Sequence, residues 1–234
     1  MNSDSDGSTT SGQPTGLSRE ASRTVRSTVA DPADSSSPRT LRTVFLDRDG
    51  VLNQKLPEGR YVASLSDFHP LPGVHQAIAR LNRAGLRVIV LSNQRGIALG
   101  LHTAEDVRTI HASFQSELAA HGAHIDAFYF CPHDKSECNC RKPLPGLFEQ
   151  AQADFPAIAA ESSLMIGDSW SDIEFGRRLG MTTIFIDGDP ALQKPGAETA
   201  RNLAHLHFAS LPQAVDALLA NLVRQQDELR PDRL

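Results

Sequence analysis

From residue 41 onward, short runs rich in β-branched and aromatic residues alternate with longer segments of helical period. That alternation constrains the fold more than any other feature of the chain. Residues 41–47, 86–92, 125–131, 164–168 and 182–187 read as buried strands, with a short sixth at 207–209. Between them, helices are expected over residues 73–84, 103–121, 145–155, 171–179 and 211–225. Local chemistry punctuates the pattern. Thr103 and Asp106 have capping-box spacing, Pro145 suits a first helical turn, and Gly85, Gly122 and Gly180 follow helices as stops. Strand–helix alternation predicts an α/β, Rossmann-like fold, a parallel sheet flanked by helices on both faces. Ligands of such sheets collect at the carboxyl ends of strands. Asp47, Ser92, Cys131 and Asp168 end expected strands and should converge on one edge.

Residues 1–40 differ sharply, being dominated by Ser, Thr, Asp, Gly and Pro with few large apolar side chains. Too little surface can be buried there to offset the entropy of ordering, so a disordered tail is expected. Residues 41–226 form the expected domain and 227–234 a C-terminal tail. A net charge of −5 gives no global attraction to nucleic acid or anionic membrane. No apolar run approaches the ~20 residues that span a bilayer. The expectation is a cytoplasmic monomer with a small-molecule substrate.

The chemistry begins at Asp47-Arg48-Asp49-Gly50. Two carboxylates two residues apart at a strand end can face one crevice, suiting either a divalent cation or a nucleophile with an acid/base partner. Ser92, Lys142, Asp168 and Asp172 follow in the same register of strand ends and loops. Mg²⁺ could sit on Asp47, Asp168 and the backbone carbonyl of Asp49, with Asp172 behind as an outer partner. Asp47 would attack phosphorus and Asp49 would shuttle the proton, while Ser92 and Lys142 bind phosphoryl oxygens.

All three cysteines lie in Cys131-Pro-His133-x4-Cys138-Asn-Cys140, a complete donor set for a structural Zn²⁺. An odd cysteine count without a secretory leader argues against disulfides. Zinc over the loop 131–143 would pin a segment that delivers Arg141 and Lys142.

These motifs, DRDGV, the Ser of LSNQ, the Lys of CRKP and GDSWSD, resemble the four ordered motifs of the haloacid dehalogenase (HAD) superfamily of phosphohydrolases. The resemblance spans roughly residues 42–190. It implies Asp47 as nucleophile, Asp49 as acid/base, Ser92 and Lys142 as phosphate binders, and Asp47, Asp49 and Asp168 as Mg²⁺ ligands. The cysteine loop is similar to that of a capless zinc-loop branch, which contains heptose-bisphosphate and histidinol-phosphate phosphatases; no large cap domain is expected. SNQRGIALGLHT and Tyr61-Val62 resemble the heptose enzymes. The resemblance therefore implies a phosphorylated sugar substrate touched by Tyr61, Ser92, Asn93, Gln94, Arg95, Arg141 and Lys142. The chain departs from the heptose pattern at the short Cys138 side of the zinc loop, at the inserted Pro57-Glu58-Gly59, and at Ser169, where a lysine is frequent. A catalytically silent interaction module is the reading from another class. A dinucleotide-binding domain fails, because no G-x-G-x-x-G follows the first strand. Arg95, Arg141, Lys55 and Arg60 are candidates for a second phosphate contact, with Lys55 and Arg60 read first as solvated charges. Trp170 could edge the pocket but reads first as a packing residue, and His111, His121, His124 and His205 as ordinary surface or packing residues.

Overall fold

The computed structural model describes residues 40–228. The expected N-terminal tail, up to residue 39, and residues 229–234 lie outside the described residues. Six strands, β1 (Thr43–Leu46), β2 (Arg87–Asn93), β3 (Ala127–Cys131), β4 (Ser163–Gly167), β5 (Thr182–Ile186) and β6 (Leu206–Phe208), form one parallel sheet. Their order is β3-β2-β1-β4-β5-β6. The chain winds outward from β1 to β3, then returns to lay β4 against the other side of β1. The crevice at that reversal opens beyond the carboxyl ends of β1 and β4.

Six helices cover the sheet: α1 (Val74–Arg83), α2 (Ala104–Ala120), α3 (Gly146–Asp154), α4 (Trp170–Leu179), α5 (Ala197–Leu203) and α6 (Leu211–Glu228). The period of two along each strand divides the core between the faces. Val44, Leu46, Val88, Val90, Leu164 and Ile166 pack with Ile78 and Leu81 of α1, Phe114 and Leu118 of α2, and Val215 of α6. Phe45, Ile89, Leu91 and Met165 point the other way, onto Leu147 and Phe148 of α3 and Phe175 of α4. Each large side chain so buried contributes about 1.5–3 kcal/mol relative to exposure. Both faces are covered, as the alternation predicts.

The expected caps form. Thr103 Oγ1 accepts from the Asp106 amide at 3.1 Å, and the Asp106 carboxylate accepts from the Thr103 amide at 2.7 Å. Gly180 ends α4 in the left-handed region at φ 79°. Two helix assignments change. α6 runs to Glu228 rather than 225, because its polar end continues the spiral beyond the buried stripe. α5 was not expected; only Ala197 and Ala200 are buried in it, against Ile173 and Phe185, so its own pattern carries little signal. Among the described residues no helix is long and apolar enough to cross a membrane.

Candidate active site

The carboxylates of Asp47, Asp168 and Asp172 converge beyond β1 and β4, with ligand oxygens within 4.8 Å of one another. Asp47 continues β1 by donating its amide to the Ile166 carbonyl at 2.9 Å. Asp172, on the first turn of α4, accepts from the amide of Ser169 at 3.1 Å and from its hydroxyl at 2.5 Å. The helix cap thus fixes an acidic side chain inside the cluster. Asp172, expected as an outer partner of the metal, stands beside Asp47 and Asp168 with its Oδ1 against the Lys142 ammonium.

Lys142 enters from the loop after β3 and is almost fully buried. Its ammonium donates to Asp47 Oδ1 at 2.8 Å and to the Leu91 carbonyl, and lies 2.6 Å from Asp172 Oδ1. Burial works against that charge, but Asp172 and Asp47 prevail and push its pKa above the ordinary lysine value. Asn93, at the end of β2, accepts from the Lys142 amide at 3.0 Å and donates to its carbonyl at 3.1 Å. Both amide atoms of Asn93 are thus committed to holding the lysine's backbone.

Asp49 is differently engaged. Arg48 Nε and Nη2 reach its two oxygens at 3.1 and 3.0 Å, and Asn53 and Gln94 donate at 3.0 and 3.3 Å. Burial pushes its carboxyl up, yet the Arg48 charge and these hydrogen bonds hold it below the usual carboxylate range. Arg48 was not singled out in the sequence, where a charge between two aspartates reads as solvated; here it is wholly buried. Gly50 follows at φ 93°, and a Cβ there would lie 2.2 Å from Asp168 Oδ2. Only glycine permits this turn against the carboxylate. Ser92 is buried with its hydroxyl accepting from the Gln94 side chain, so Gln94, not Ser92, lines the cleft in this conformation.

Positive charge is short at the cluster. Burial first, then Asp172, raises the Asp47 carboxyl to about 7 despite the opposing Lys142, with Asp168 and Asp49 adding to the rise. Burial also raises Asp168, against the pull of Lys55. Asp168 Oδ1 is buried without a hydrogen-bond partner. Crowded oxygens, raised carboxyls and an orphaned acceptor fit a small divalent cation.

At the carboxyl end of β3, Cys131, His133, Cys138 and Cys140 gather into a second cluster. Cys138 Sγ lies 3.4 Å from both Cys131 Sγ and Cys140 Sγ, and His133 Nδ1 lies 3.2 Å from Cys140 Sγ and 3.7 Å from Cys131 Sγ. A tetrahedron with Zn–S bonds of about 2.3 Å has edges of roughly 3.6–3.8 Å, so the donors are spaced for zinc. All three thiols are free.

Above the carboxylates opens a cleft of ≈ 440 Å³, within the ~300–1,000 Å³ of small-molecule sites. Tyr61, Asn93, Gln94, Arg95, Arg141 and Lys142, the expected substrate contacts other than Ser92, line it. Arg95 is also paired with Asp134, tying the turn after β2 to the cysteine loop. Three expectations need correction or extension. Lys55 is not a solvated charge: its side chain is 9% exposed and its ammonium is bonded to Asp168. Trp170 is 38% exposed on the cleft rim, because the N-terminus of α4 projects past the sheet, and it does not pack in the core. Lys194, from the segment before α5, joins the rim without any signal in the sequence. Arg60 is exposed as expected, but on the cleft wall. His111 packs, stacked on Phe128 at 4.5 Å.

Known proteins are similar to this chain in sequence and fold. A HAD-hydrolase-like family model matches residues 139–210. A Mycobacterium tuberculosis D-glycero-α-D-manno-heptose-1,7-bisphosphate 7-phosphatase is 37% identical over 169 residues, 72% of this chain and 86% of that protein. The corresponding β-heptose phosphatase of Pseudomonas putida is 34% identical over 163 residues, 68% of this chain and 91% of that protein. A crystal structure of D,D-heptose 1,7-bisphosphate phosphatase from B. bronchiseptica, complexed with magnesium and phosphate, superposes with a TM-score of 0.67 at 28% identity. That match covers 77% of this chain and 99% of the other. The sheet order, the carboxylate cluster and these relatives together make the chain a phosphatase belonging to the HAD-like phosphatase family.

Proposed function

We propose that this phosphatase removes the 7-phosphate of a D-glycero-D-manno-heptose 1,7-bisphosphate through an aspartyl-phosphate on Asp47. The observation that carries the reading is the charge layout of the cleft. Carboxylates and Lys142 form its floor, whereas Lys55, Arg60, Arg95, Lys135, Arg141 and Lys194 line its walls and Glu58 stands as the single acidic residue among the rim positions. A substrate with two phosphates suits that rim. Histidinol phosphate, the alternative, carries cationic groups that would need carboxylates at the rim. Asp67, the other acid near the loop, is occupied in capping the turn at Leu65–Asp67 through Ser64.

In the first step an Asp47 oxygen bonds to phosphorus as the bond from phosphorus to the sugar oxygen breaks. Asp49 gives that oxygen a proton. Asp49 is held ionised by Arg48 in the free protein; an arriving phosphate dianion raises its carboxyl by like-charge repulsion and loads the proton. In the second step water attacks phosphorus, Asp49 takes its proton, and Asp47 is released as the carboxylate. Lys142, fixed by Asn93 and Asp172, offsets charge on the phosphoryl oxygens without rearranging. Asp47, Asp168 and the Asp49 carbonyl would hold Mg²⁺, which when bound neutralises phosphate charge and lets the Asp47 anion approach. Zn²⁺ on Cys131, His133, Cys138 and Cys140 would anchor the loop that presents Arg141 and Lys142.

The test is phosphate release with Mg²⁺ from the α and β anomers of heptose 1,7-bisphosphate, beside histidinol phosphate. Higher kcat/KM on either bisphosphate is expected, and the better anomer names the substrate. Preference for histidinol phosphate would overturn the reading.

A further inference from the structure

We propose that Lys55 is an internal counter-cation of the carboxylate cluster, displaced from Asp168 when the divalent cation binds and then available on the cleft wall for substrate phosphate. The proposal rests on the reading of a divalent cation at Asp47 and Asp168.

Two ammonium groups neutralise the buried acids, and they are built differently. Lys142 has three partners, Asp47, Asp172 and the Leu91 carbonyl, and its backbone is clasped by Asn93. It is a fixed part of the floor. Lys55 has one, the Oδ2 of Asp168. It lies two residues before the exposed stretch Pro57–Arg60, which is closed on itself by a bond of 3.0 Å from the Arg60 amide to the Pro57 carbonyl. Its side chain can therefore leave without dismantling a strand or helix.

Charge balance says when it leaves. Both members of the Lys55–Asp168 pair are more than nine-tenths buried, so solvent screens them little. A divalent cation bound to Asp168 would stand within about 5 Å of an ammonium on the same carboxylate, where like charges in a poorly solvated site repel strongly. The cation would take the partnerless Oδ1 while Lys55 holds Oδ2, so the repulsion across the one carboxylate, and not competition for an oxygen, is what frees the lysine. Without the metal, Lys55 spares the cluster an unpaired buried charge; with it, Lys55 is redundant at Asp168. The released side chain already belongs to the cleft lining, beside Arg60 and Tyr61. Cation binding would thus convert a neutralising lysine into a phosphate-binding one, and metal and phosphate would bind cooperatively through it.

The experiment compares the full chain with Lys55→Met and Lys55→Arg, using Mn²⁺ as a paramagnetic probe and inorganic phosphate as the anion. In the absence of phosphate, Lys55→Met should bind Mn²⁺ about tenfold more tightly than the native protein, because no cation has to be displaced. Its metal-free form should melt at lower temperature. Lys55→Arg, which keeps the charge, should bind Mn²⁺ as the native protein does. With saturating Mn²⁺, phosphate should bind Lys55→Met several-fold more weakly. Equal or weaker Mn²⁺ binding by folded Lys55→Met would overturn the counter-cation role, as would phosphate affinity unchanged by it overturn the handover. If native protein and variants alike bind no Mn²⁺, the cation reading itself fails, a result distinct from equal affinities.

Discussion

His111 offers a quantitative test of how this core tolerates acid. The imidazole lies on α2, 5% exposed, stacked on Phe128 with a further edge contact to Phe130 at 6.0 Å. Its Nε2 is buried without a partner. Burial, reinforced by Arg48 and only partly opposed by Asp49, lowers its pKa to about 3. Folded-state pKa is thus below the unfolded value of 6.5, so the unfolded chain binds the extra proton. The stabilisation is complete above pH 6.5 and is lost as pH falls towards 3. Between pH 7 and pH 5 the unfolded histidine goes from mostly neutral to almost fully protonated while the folded one stays neutral. The resulting loss is about 2 kcal/mol, and it barely changes if the folded pKa is a unit higher. His111→Phe keeps an aromatic ring against Phe128 and removes the proton. Urea unfolding at pH 7 and pH 5 should show a stability drop about 2 kcal/mol smaller in the variant than in the native protein. The other acids contribute equally to both proteins and cancel. Parallel drops, within about 0.5 kcal/mol, would mean His111 is protonated in the folded state and would refute the argument from burial.

Asp47→Asn should leave the fold and its thermal transition intact while lowering phosphate release by roughly 10⁴ or more; residual activity near native would exclude Asp47 as nucleophile. Gly50→Ala places a methyl group 2.2 Å from Asp168 Oδ2 at a φ of 93°, so the folded variant should need far more Mg²⁺ to reach half-maximal activity. Elemental analysis should find one zinc per chain. Cys138→Ser should lose it and lower Tm by about 10 °C, and an unchanged Tm with zinc absent would reduce the cysteine cluster to packing.

The sheet was legible because its strands are buried on both faces and read as unbroken apolar runs such as Val88-Ile89-Val90-Leu91. Thr103 and Asp106 announced their helix because capping is local chemistry. The acidic and basic residues of the floor were legible as types at strand ends, and the cysteines by spacing alone. What escaped notice depends on contacts across long separations. Lys55 meets Asp168 113 residues away, and nothing near Lys55 distinguishes it from a surface lysine. Arg48 is buried and donates to Gln94, 46 residues on. Trp170 opens α4 at the rim, a place set by the turn that follows Asp168 and not marked by the helical period. α5 is held by two small side chains on neighbours supplied by α4 and β5, a signal too thin to read in one dimension.

Asn93 clasps both sides of the Lys142 peptide from 49 residues away, and the cysteine–histidine set grips the same loop a few residues earlier. Within the cysteine–histidine grip, between His133 and Cys138, Lys135, Ser136 and Glu137 form a solvent-facing tip. Its length and composition can drift without moving the lysine ammonium. Lys135 also lines the cleft, so that drift would alter what is admitted while leaving the reaction centre as it is. In such a scaffold substrate preference is an exchangeable part, and directed variation of residues 135–137 is the place to retune it.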